Sequence, residues 1–101
     1  MSTVSITNTV EPGMNSQIEE KIYLLLGSSL TSLRLIEAVI EDASPAGQQT
    51  PLVDCKVRAL ERHGKWHLVS NRQRDPMLAL DGALNRLRRS LARNRLRRGA
   101  A

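Results

Sequence analysis

Residues 75–95 read DPMLALDGALNRLRRSLARNR, and the way this stretch folds decides what the rest of the chain must supply. Asp75 followed by Pro76 predicts a helix start, because the Asp side chain can accept backbone N–H bonds as an N-cap and Pro is tolerated at the first helical position. Leu80, Ala83, Leu84, Leu87 and Leu91 recur at intervals of three and four and would form one buried stripe. Arg86, Arg89, Arg93 and Arg97 fall together on a second side, with Arg88 and Arg95 on the opposite flank. Past Leu91 the stripe stops, since Arg98 stands where a leucine is expected and Leu96 lies on the polar side. Residues 93–101 are therefore expected to project beyond the core or fray as a basic tail. A helix of this kind needs an apolar surface to lie on.

Working back along the chain, Val53, Cys55, Val57 and Ala59 alternate with Asp54, Lys56, Arg58 and Leu60, the pattern of a half-exposed strand. His63 and Gly64 separate this run from residues 65–72, and a two-residue connection ending in Gly predicts a tight antiparallel hairpin. The β-branched run at 33–42, with Ile36, Val39 and Ile40, predicts another strand, and ASPAGQQT at 43–50 predicts a surface loop. Met14, Ile18, Ile22, Leu25 and Leu26 have helical spacing after the Pro12–Gly13 break, ended by Gly27, Ser28 and Ser29. Val4 and Ile6 alternate with Thr3, Ser5 and Thr7 as a short first strand. The order is β-α-β-β-β-α, which predicts an α+β two-layer sandwich with two helices packed on one face of a four-stranded, mainly antiparallel sheet.

Composition narrows the function classes. A chain of 101 residues with 41% apolar and 25% charged residues is expected to form one soluble domain over 1–101. No basic start with a long apolar run and cleavage site opens the chain, and the longest apolar stretch, residues 22–26, is far short of the ~20 needed to span a bilayer. With Cys55 alone there is no internal disulfide, and a reducing cytoplasm is expected. The last twenty residues hold seven arginines and no acid, while the 81 before them hold eight Lys and Arg against ten Asp and Glu. Such polarity attracts polyanions, and the guanidinium fork can bind a phosphate through two parallel hydrogen bonds. With only Trp66 and Tyr23 as aromatics, a platform of several stacked rings is hard to build.

The order of elements with a basic closing helix resembles the bacterial ribosome hibernation promoting factors and ribosome-associated inhibitors of translation. The likeness is carried by Asp75, Ala79, Leu80, Asp81, Gly82, Arg86, Leu87, Arg89, Leu91, Arg93 and Arg95, and more weakly by the Met14-to-Leu26 stripe, by Ile36, Ala38, Ile40 and Asp42, and by the strand from Cys55 to Ala59. The resemblance implies a short-form cytoplasmic factor that occupies the messenger RNA and transfer RNA cleft of the small ribosomal subunit in slow growth or stress and acts without chemistry. Relatives often carry more basic charge on the first helix, whereas Lys21 here follows Glu19 and Glu20. Long relatives add a ribosome-pairing domain, and none follows Ala101, so self-driven ribosome pairing is not expected. Oligomeric state is not specified by the sequence.

The arginines without compensating acids favour polyanion binding over a merely solvated helix face, and Arg86, Arg88, Arg89, Arg93, Arg95 and Arg97 are the candidate RNA-binding residues. Lys56 and Arg58 on the exposed side of their strand are candidates to extend the patch, against a plain-surface reading. His63 is expected in a turn and His67 in a strand, with no Cys, Asp or Glu at ligand spacing, so no metal and no cofactor is expected. Cys55 fits a small buried hydrophobe, and Glu37, Glu41 and Asp42 fit strand-edge solubility, so no catalytic residue and no small-molecule substrate is assigned. Trp66 is expected in the core, with an outward position, where it could stack on a base, as the alternative. The competing function is a peripheral protein lying on anionic membrane through its basic amphipathic helix. Against it, the leucine stripe lacks Trp and Phe anchors and is committed to a sheet. A small nuclease using the same patch would need an acid–base pair or a metal.

Overall fold

The computed structural model describes residues 3–45 and 51–100, with side chains through Arg93. It contains β1 (Thr3–Asn8), α1 (Asn15–Leu26), β2 (Leu33–Asp42), β3 (Val53–Glu61), β4 (Trp66–Gln73) and α2 (Pro76–Ala100). The four strands lie in the order β1-β2-β3-β4. The first pair is parallel, joined through α1, and the other two are antiparallel. This is the expected α+β sandwich, with both helices on one face.

The core follows from two periodicities meeting. Along β2, Ile36, Ala38 and Ile40 point inward, and along β3 Val53, Cys55, Val57 and Ala59 do the same. Onto this surface α1 lays Ile18, Ile22 and Leu26, and α2 lays Ala79, Leu80, Ala83, Leu84, Leu87 and Leu91. A register shift between Leu33 and Leu35 lets Leu33 join the core although its spacing from Ile36 is odd. One extra residue in a strand does this by turning the chain locally.

Local chemistry sets the ends of α2. The Leu78 N–H donates to Asp75 Oδ2 at 3.1 Å and the Ala79 N–H to the Asp75 carbonyl at 3.0 Å, as an N-cap requires. Such a cap contributes about 1 kcal/mol. One turn on, Gly82 has a specific steric reason. A Cβ there would come within 2.0 Å of Asn71 Nδ2, and that amide donates to the Ala79 carbonyl at 3.3 Å. The missing side chain lets the helix settle against β4. The α2 backbone is helical as far as Ala100. Of the tail expected to project or fray over 93–101, the backbone is thus described to Ala100, while the side chains of Arg95, Arg97 and Arg98 fall outside the described residues. So do residues 46–50 of the expected loop, whose stem is closed by the Ala43 N–H donating to the Leu52 carbonyl at 2.8 Å.

Two expectations need correction. The hairpin connection is longer than two residues: β3 continues to Glu61, β4 begins at Trp66, and residues 62–65 join them. The Gly64 N–H donates to the Glu61 carbonyl and the Glu61 N–H to the Lys65 carbonyl, both at 2.8 Å, with Gly64 at φ 103°. The positive φ expected of Gly64 is present, inside a turn with one added residue. Trp66 is not in the core but 49% exposed. The register pairs Ala59 with His67, so His67 takes the inward place and Trp66 the outward one.

Candidate nucleic-acid interface

The arginine face of α2 exists because the leucine stripe fixes the roll of the helix. With Leu80, Leu84 and Leu87 fully buried, Arg86, Arg88, Arg89 and Arg93 are all exposed. At 3.6 residues per turn Arg86 and Arg93 lie about 20° apart around the axis and about 10 Å apart along it. Arg86 donates through Nη1 to the Ser70 carbonyl on edge strand β4, and Arg88 donates through Nη2 to Asn85 Oδ1 at 3.1 Å. No acid pairs with any of these four among the described residues. The nearest acid on the helix, Asp81, is held by Lys21 at 3.2 Å, which also ties α1 to α2 and takes Lys21 out of any patch.

Lys56 and Arg58 are exposed on β3 as expected, but they alternate with Cys55 and Val57 and so point away from the helices, onto the open face of the sheet. They are separated from the α2 arginines by β4. Arg58 Nη2 lies 3.2 Å from Glu37 Oε2, and its guanidinium carbon sits 5.1 Å from the centroid of the Trp66 ring. Lys56 Nζ stands 4.0 Å from Asp54.

A polar cluster that sequence reasoning missed lies under α2. Glu61 and His67 are only 4% and 5% exposed, and the His67 Nε2–H donates to Glu61 Oε2 at 2.7 Å. His67 Nδ1 then faces Ser90 Oγ at 2.8 Å, accepting from the hydroxyl when the ring is neutral. His63 Nε2 reaches Glu61 Oε1 at 3.2 Å from the hairpin turn. Burial pushes the Glu61 carboxyl up, but the bonds and charges of His67 and His63 outweigh it and hold the group below the ordinary carboxylate range. The expectation that neither histidine has a Cys, Asp or Glu nearby at ligand spacing is thus corrected: Glu61 lies against both. The signal was available, because continuing the alternation from Val53 puts Glu61 on the inward face, where a charge requires partners.

The cluster is a brace between elements. It joins β3, β4, the turn and α2 at Ser90, in the middle of the arginine-bearing stretch. His67 is covered, and no group of three His, Cys, Asp or Glu among the described residues could hold a metal ion. Burial, with the Asp54 charge adding to it, pushes the Cys55 thiol up to about 12, far from a reactive thiolate. The exposed arginines of α2 present cations to the surroundings of the helix.

Fold and surface together define a β-α-β-β-β-α sandwich whose closing helix carries a row of arginines unpaired with acids among the described residues. No protein-family model matches the sequence, and no curated protein does either. Among solved structures, the chain is similar to a ribosomal subunit interface protein from Coxiella burnetii, with a TM-score of 0.67 and 13% identity over 93% of this chain and 98% of that one. It is also similar to the N-terminal domain of Thermus thermophilus Protein Y, with a TM-score of 0.64 and 20% identity over 92% of this chain and 98% of that one. At these identities the likeness establishes the fold.

Proposed function

We propose that this chain is a ribosome-binding factor that silences translation by occupying the messenger RNA and transfer RNA cleft of the small subunit, in slow growth or stress. The observation that carries this is the exposed row Arg86, Arg89 and Arg93, with Arg88 on the opposite flank, all unpaired with acids among the described residues, on the last helix of a fold shared with a ribosomal subunit interface protein. A rigid cationic helix suits a cleft walled by phosphates, because phosphate contacts position a protein without reading sequence. Occupancy alone accounts for inhibition, so no catalytic residue, cofactor or metal is invoked, and the site of action is the cytoplasm. Arg95 and Arg97 continue the same helix and belong to the proposed contact set, with Lys56 and Arg58 on the open face as its extension.

The membrane alternative is the weaker reading, because the leucine stripe that would enter lipid is buried on the sheet. A cell-free translation assay tests the proposal. Peptide synthesis should fall in proportion to the small subunits occupied and recover when messenger and initiator transfer RNA are supplied in excess. Undiminished synthesis by fully occupied ribosomes would contradict cleft binding.

A further inference from the structure

The open face of the sheet is uneven in both charge and polarity. Cross-strand pairing sets Leu60 beside Trp66, Arg58 beside Leu68, Lys56 beside Ser70 and Asp54 beside Arg72. Leu68 is 72% exposed next to the half-exposed indole of Trp66, two large apolar groups together on a strand edge. The Trp66 ring is not loose, since Arg58 lies over it and is itself held by Glu37. Away from Arg34 at the bulge of β2, charge rises across the face: β2 supplies Glu37 and Glu41, β3 supplies Asp54, Lys56 and Arg58, and β4 supplies Arg72. Beyond the β4 edge stands Arg86, whose guanidinium reaches the Ser70 carbonyl. The cations of α2 therefore continue around the edge strand to the Trp66 shelf.

We propose that Trp66, framed by Arg58 and Leu68, is a stacking site for one unpaired RNA base, with Lys56, Arg86 and Arg72, about 13–20 Å farther along β4, placed to hold phosphates of the nucleotides that follow it, an inference that rests on the ribosomal RNA reading above. A base offers a π-face to an indole whatever its identity, so this contact adds affinity without sequence preference. The cations on the β4 side select a polyanion over a neutral apolar partner, and the acids of β2 bound the site on its far side. A single-stranded loop is the RNA form that fits, because only an unstacked base can reach the ring.

Purified small subunits and three forms of the full chain separate this site from the arginine helix. Trp66→Ala should weaken co-sedimentation by on the order of tenfold, the effect of one lost stack, while Trp66→Phe should stay close to the parent. Equal binding by parent and Trp66→Ala would overturn the stacking site and leave the arginine helix standing. If the parent itself fails to bind, both ideas fall together. Trp66 is the sole tryptophan, so its emission reports on this site alone. A saturating end-labelled oligouridylate should quench that emission and an abasic strand of equal length should not. Unchanged emission with the oligouridylate bound, or equal quenching by both strands, would also overturn the stack.

Discussion

Replacing Arg86 and Arg89 together by glutamate is expected to lower affinity for the small ribosomal subunit by at least on the order of a hundredfold at physiological salt, with the fold retained. Each guanidinium that meets a phosphate contributes a charge-assisted bond worth about 1.5–3 kcal/mol, and two lost bonds come to about 3–6 kcal/mol. Glutamates in their place add repulsion from the same phosphates. The fold has little at stake, because both side chains are exposed and the only described protein contact between them is that of Arg86 with the edge carbonyl of Ser70. The salt dependence should change as well: losing two phosphate contacts should reduce the slope of log affinity against log salt by about 1.4 to 1.8. Sedimentation at several salt concentrations, with circular dichroism on the same samples, reads both effects. A double mutant that binds as the parent does would mean that this face does not meet RNA.

The largest effect on stability is expected at Glu61. Glu61→Ala leaves His67 buried with its Nε2–H unanswered and removes the acceptor of His63, and breaking one partner of a buried pair costs about 3–5 kcal/mol. That is a large share of the roughly 5–15 kcal/mol that holds a domain together. Glu61→Gln keeps an acceptor and the volume and should cost less. It also isolates the pH dependence. Because the folded-state carboxyl is held below its ordinary value, its contribution is complete above the unfolded value of about 4.3 and is lost as pH falls through the folded one. Urea unfolding from pH 7 to pH 3 should show this loss in the parent and not in Glu61→Gln. Parallel curves for the two proteins would remove Glu61 from the account.

The elements that position the arginines were legible because each buries one regular face. The leucine spacing of α2, the alternation of β3 and the Asp75–Pro76 start are local signals, and local hydrogen bonding and burial are enough to produce them. What escaped depends on contacts distant in sequence or on a change of register. Glu61, His67 and Ser90 meet only when the hairpin closes and α2 folds back over it, so no short window of sequence shows them together. The inward position of His67, and with it the outward position of Trp66, follows from a turn one residue longer than expected, with Glu61 closing on Lys65, since the turn sets which residue faces Ala59. Leu33 is buried through a register shift that a strict period of two does not anticipate. Gly82 stands out within the helix, yet its reason, the amide of Asn71, lies on another element. The roll of α2, which exposes Arg86, Arg89 and Arg93, needed none of these long-range details.

Co-sedimentation of the unmodified chain with purified small subunits, over a series of salt concentrations, tests the central claim most directly. The expected result is near-complete recovery with the subunits at low ionic strength and a steep, continuous release as salt rises, with chemical protection of ribosomal RNA confined to the messenger and transfer RNA cleft. A chain that stays at the top of the gradient at the lowest salt, or that protects RNA only outside that cleft, would contradict it.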